Sequence, residues 1–142
     1  MKTALEIVRD VRSLLNVNEL LSQIDGKIYD FYAPLNSKNT FITVSILAAD
    51  NEWMQQAIVN VRIHSPNPEL QNREGKPDTT RPDLVTFNKL SKIVCNLTDT
   101  QYKPEFNTIV TSPGELFRQS DGSFVCLVQL EYRSIQSNFK NI

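Results

Sequence analysis

One histidine, two cysteines and four scattered glycines leave this chain of 142 residues with little of what catalysis usually requires. A metal centre needs His, Cys or carboxylate side chains brought together at recognisable spacing. Here His64 is the lone imidazole, and Cys95 and Cys126 fall in different predicted elements. A nucleophile needs a base and an orienting group within hydrogen-bond reach, so any Ser–His or Cys–His pair would rest on His64 alone. His64 ends a predicted strand on its more polar face and reads as a surface histidine. Gly26, Gly75, Gly114 and Gly122 stand singly in turns, so no glycine-rich strand-to-helix loop is present to cradle a phosphate. The carboxylate pairs Asp50/Glu52 and Asp78/Asp83 sit in predicted turns and caps, where structure accounts for them. The expectation is a protein that is not an enzyme and takes no cofactor and no metal.

Other classes are missing too. No apolar run approaches the ~20 residues of a membrane-spanning helix. Glu6, Arg9 and Asp10 interrupt the N-terminus where a signal peptide needs an unbroken apolar stretch, so the chain is expected to be cytosolic when made and not secreted. In that setting Cys95 and Cys126 are expected to stay as buried thiols. Charged residues make up 22% of the chain but sum to −1, too balanced for a nucleic-acid footprint. Tyr29, Phe31 and Tyr32 have one lysine and no arginine around them, and fit a hydrophobic strand better than a base-stacking platform.

What is present is pattern. In Thr40–Ser65, Ile42, Val44 and Ile46 alternate with Thr43 and Ser45. Ala57, Val59, Val61 and Ile63 alternate with Ile58, Asn60, Arg62 and His64. Residues two apart share one face of a strand, so each half has an apolar face and a more polar one. With Asp50-Asn51-Glu52 as the turn between them, the stretch predicts a long antiparallel hairpin at the centre of a sheet.

Around it, Thr3 and Glu6 form a capping-box pattern opening a helix whose buried stripe is Leu5, Val8, Val11 and Leu15, with one more helical turn at Glu19–Ile24. Asp25-Gly26 marks a turn, and Lys27–Ala33 a strand closed by Pro34. Asp83–Thr98 predicts a second long helix with Leu84, Phe87, Leu90, Val94 and Leu97 on one side. Glu105–Thr111 reads as a strand turned at Ser112-Pro113-Gly114. Ser123–Arg133 is the last strand, followed by a fraying tail at 135–142. The chain is expected to be a single α+β domain over 1–142, with element order α-β-β-β-α-β-β. Its sheet of about five strands would be mainly antiparallel, with two helices packed on one face.

The segment 66–82 breaks the pattern. It holds four of the seven prolines, Gly75 and a single large aliphatic residue, Leu70, and its charges cancel. A loop this long in a compact domain is either a mobile surface loop or an arm that binds a partner. The candidate assembly residues are its charged groups Glu69, Arg73, Lys76 and Arg81, together with Trp53, since tryptophan is over-represented at interface hot spots.

With that order of elements, the chain resembles the small tail-completion, tail-terminator and head–tail joining proteins of long-tailed bacteriophages and prophages. The resemblance rests on Leu14-Leu15 in the first helix, Asp25-Gly-Lys-Ile-Tyr29 leading into the first strand, Val59-Asn-Val-Arg-Ile63, Asp121-Gly122, and Val128-Gln-Leu-Glu-Tyr132 in the final strand. The 66–82 segment and the polar tail depart from the family's pattern. The resemblance implies a structural protein of virion assembly that forms a ring, usually a hexamer in that family, at the tail end or head–tail junction. Its partners would be its own copies, the tail-tube protein and the head–tail connector proteins. It would work in the bacterial cytoplasm during assembly and then in the virion. The other reading from the same residues is a small adaptor module of another bacterial assembly or secretion system.

Overall fold

The computed structural model describes residues 2–33, 38–50 and 54–135. It is an α+β fold, but the expected mainly antiparallel sheet of about five strands in the order α-β-β-β-α-β-β does not form; the observed order is α-α-β-β-β-β-β-α-β-β-β. Six strands form one mixed, curled sheet in the order β1-β2-β3-β8-β7-β6, and three helices accompany it. The strands are β1 (Ile28–Asp30), β2 (Phe41–Asp50), β3 (Met54–Ser65), β6 (Gln101–Tyr102), β7 (Asn107–Arg118) and β8 (Phe124–Ile135). A separate small hairpin, β4 (Leu70–Gln71) with β5 (Pro77–Asp78), stands in the proline-rich segment. The helices are α1 (Ala4–Leu15), α2 (Asn18–Leu21) and α3 (Leu84–Thr98).

The capping box at α1 forms as the sequence predicts. Thr3 Oγ1 accepts from Glu6 N at 3.2 Å, and Thr3 N donates to Glu6 Oε1 at 3.3 Å. Such a cap contributes about 1 kcal/mol. Ile7, Val8, Val11 and Leu15 are buried against the apolar face of the central strands, made by Ile42, Val44, Val59, Val61, Ile63, Val128 and Leu130. Phe87, Leu90 and Val94 of α3 complete the core. Leu5 lies outside this stripe and is exposed. Tyr132 is fully buried, stacked on Phe106 at 5.3 Å, and its hydroxyl donates to Asp10 Oδ2 at 2.6 Å. Asp10 also holds Lys2 Nζ at 2.6 Å, which clasps the residues before α1 onto the sheet.

Two features overturn the antiparallel meander. β1 runs parallel to β2, with Ile28, Tyr29 and Asp30 opposite Ile42, Thr43 and Val44. The starts of the two strands are tied side by side: Thr40 N donates to Asp25 Oδ1 at 2.6 Å, and Gly26 N donates to Thr40 O at 2.9 Å. A Cβ on Gly26 would lie 2.8 Å from Phe41 Cβ and 2.9 Å from Thr40 O. Glycine is therefore needed there for close approach and not, as the Asp-Gly pair suggested, for a positive φ. β7, in turn, passes straight through Ser112-Pro113-Gly114 where a turn was expected. The extra residues are absorbed as register shifts against β8 between Val110 and Ser112 and between Ser112 and Glu115. Gly114, at φ +145, lets the strand resume, and α3 approaches so closely that a Cβ there would lie 3.4 Å from Ser91 Cβ.

Both cysteines are free thiols at this bulge. Cys95 Sγ donates to Pro113 O at 3.3 Å, and Cys126 Sγ lies against Gly114. Burial raises the pKa of both. Asp83 is the N-cap of α3 and accepts from Thr86 N, with Pro82 just before it. No helix among the described residues is long and apolar enough to cross a membrane. The expected tail at 135–142 lies outside the described residues apart from the end of β8.

Candidate functional site

With α1 and α3 packed on one face, the strand registers arrange the opposite face into rows across β2, β3, β8 and β7. The first row is Phe41–His64–Val125–Phe117, the second Thr43–Arg62–Leu127–Glu115, and the third Ser45–Asn60–Gln129–Ser112. The fourth is Ala48–Ile58–Glu131–Ile109, shifted into register by a bulge after Ile46. The polar positions seen in the hairpin thus meet across strands. Side chains in these rows cover one another, so that Asn60 is only 3% exposed without a helix above it. Gln129 Nε2 donates to Asn60 Oδ1 at 2.9 Å, Arg62 Nη1 donates to Ser45 Oγ at 2.8 Å, and Thr43 Oγ1 lies 3.3 Å from His64 Nε2.

At the Phe41 end these rows open into a groove of about 540 Å³. Its walls are aromatic (Phe31, Tyr32, Phe41 and Phe124), and Lys38, Arg62 and His64 supply its basic groups. The imidazole of His64 stacks on Phe41 at 4.4 Å, so it is half-buried and not the free surface histidine the sequence suggested. Desolvation lowers its pKa to about 4, helped by the charge of Arg62 two residues away. His64 is therefore neutral at physiological pH, while Lys38 and Arg62 are cationic. The carboxylate on the lining, Asp121, is engaged by its own turn: Ser123 N and Oγ donate to Asp121 Oδ1 at 3.0 and 2.6 Å. Phe31 leaves β1 at φ +65, an uncommon conformation for a bulky residue, which swings Tyr32 outward to 88% exposure.

The residues singled out from sequence stand elsewhere. Glu69, Arg73, Lys76 and Arg81 are all exposed in the proline-rich segment. Lys76 pairs with Glu74 at 3.8 Å and Arg81 with Asp78 at 3.4 Å, exposed pairs of the kind that contribute little to stability. None of the four lines the groove. Trp53 lies outside the described residues. The segment itself is a built hairpin: Asn72 Oδ1 accepts from Glu74 N and Lys76 N, and Gly75 takes φ +76. Asn67 Nδ2 anchors it by donating to Thr79 O and to Gly122 O, both at 2.9 Å.

Sequence reasoning missed Lys38, Arg62 and the aromatic walls as one site. The signal was the register: Phe41, Thr43 and Ser45 had to face His64, Arg62 and Asn60 once the hairpin was drawn. Chemically the groove offers cations and apolar walls, which suits binding an acidic, apolar-bearing group. Among the described residues no group of three or more His, Cys, Asp or Glu could hold a metal ion. Neither the comparison with protein-family models nor that with curated proteins finds a match to this chain.

Proposed function

We propose that this protein is a structural, non-enzymatic component of a phage or prophage tail that assembles into a ring at the tail end or head–tail junction. One observation carries the reading: among the described residues, no helix covers the face of the sheet opposite α1 and α3, which holds an open groove and exposed apolar side chains. Leu47 is 62% exposed and Phe117 43%, with Ile58 and Ile109 also at the surface. Surfaces of this kind on a domain with few reactive groups suit protein–protein contact. In this reading the partners are further copies of the chain, six in a closed ring, with the tail-tube protein and head–tail connector proteins on the ring's two faces. The protein would act in the bacterial cytoplasm during assembly and remain in the virion.

A second reading, a monomeric adaptor of another bacterial assembly or secretion system, is favoured by the groove alone, since one groove serves one partner peptide. Tail tubes polymerised in the presence of the protein separate the two. Electron micrographs should show tubes of reduced and uniform length, capped at one end by a ring-shaped density. Uncapped tubes of unaltered length, with the protein bound nowhere, would contradict the tail reading.

A further inference from the structure

We propose that the groove receives the Glu115–Phe117 edge of β7 from a second copy of this chain. The inference rests on the ring reading above and names its contact. The groove runs from Tyr32 beside β1 to the β7–β8 turn at Gln119–Phe124, and the Glu115–Phe117 edge of β7 stands just beyond that turn. Phe41 and His64 begin the row that ends at Phe117; Thr43 and Arg62 begin the row that ends at Glu115.

The chemistry matches row by row. Phe117, 43% exposed, would enter aromatic walls, and Glu115 would meet Arg62 and Lys38. Among the described residues, none of these three charges has an ion-pair partner; Arg62 donates to the Ser45 hydroxyl. Arg118, the next residue, alternates to the other face of the strand. Among the described residues the edge of β7 is open at Glu115–Phe117, whereas the groove is entered from the face of the sheet, since β1 covers the edge of β2 there. β6 pairs with β7 only at Asn107 and Thr108, and β1 covers β2 only at Ile42–Val44.

The test uses two charge reversals, Glu115→Arg and Arg62→Glu, and reads oligomer mass by sedimentation velocity. Each variant alone puts like charges across the contact, and each should raise the concentration of half-assembly at least tenfold. A 1:1 mixture should restore assembly, since both contacts in an alternating ring then pair opposite charges; misfolded variants could not do this. As a second measurement, the Tyr32→Cys/Phe117→Cys double variant should give intermolecular disulfide ladders under mild oxidation. Wild-type-like assembly of both single variants, or a mixture that stays unassembled together with absent ladders, would overturn this contact and leave the ring reading standing. A wild-type protein that never assembles would overturn the ring reading itself.

Discussion

The rings of Phe41 and His64 lie parallel across neighbouring strands, 6° apart and 4.4 Å between centroids. This stack buries the imidazole beside Arg62 and makes its neutral form the stable one, with a pKa near 4 instead of 6.5. In the unfolded chain His64 takes a proton as pH falls through 6.5, whereas the folded protein does not until about 4. Stability from this group is therefore full above pH 6.5, declines between pH 6.5 and 4, and levels off below. Urea unfolding at half-unit steps should show that decline in wild type and a flatter profile in His64→Gln. Parallel profiles would contradict it.

Gly26 and Gly75 should respond to alanine in the reverse of the order their backbone angles suggest. Gly75 has the positive φ but open space around it, so Gly75→Ala should cost only about 1 kcal/mol. At Gly26 a methyl group meets Phe41 Cβ and the Thr40 carbonyl, and separating β1 from β2 should cost roughly 1–3 kcal/mol. Chemical denaturation of the two variants checks the order.

The Tyr132–Asp10–Lys2 cluster should be asymmetric. Tyr132→Phe keeps the stack on Phe106 and leaves Asp10 paired with Lys2, so the loss should be about 1 kcal/mol. Asp10→Ala removes the acceptor of the buried Tyr132 hydroxyl and the nearer of the two carboxylates beside Lys2, and should cost about 2–3 kcal/mol. Equal losses would show that the aspartate does not hold both groups.

Asn67→Ala removes the bond to Thr79 O that closes the base of the β4–β5 hairpin and the bond to Gly122 O that ties it to the β7–β8 turn. Limited proteolysis should cut within Glu69–Asp78 several-fold faster, while the midpoint of global unfolding moves little. That contrast would mark the hairpin as a separately opening unit.

The elements were legible wherever a periodic apolar pattern met a strong local signal. Thr3 and Glu6 place the start of α1, and the two-residue alternation of Val59, Val61 and Ile63 places β3 and its buried face. What could not be read depended on contacts distant in sequence. Gly26 looks like any turn glycine until Phe41 lies against it, and the parallel pairing of β1 follows from Asp25 reaching Thr40. Ser112-Pro113-Gly114 has turn composition, yet β8 on one side and α3 on the other keep it extended as a bulge. The site was hidden for the same reason. Arg62 and Lys38 belong to different segments, and only the β2–β3 register and the path of Phe31 bring them to one groove.

The central claim is that the exposed sheet serves contact between copies of the chain. The most direct measurement is solution mass by light scattering across a wide range of protein concentration, with images of the largest species. The account predicts a single closed oligomer above a threshold concentration, seen as rings of one diameter. A monomer mass at every concentration would contradict it.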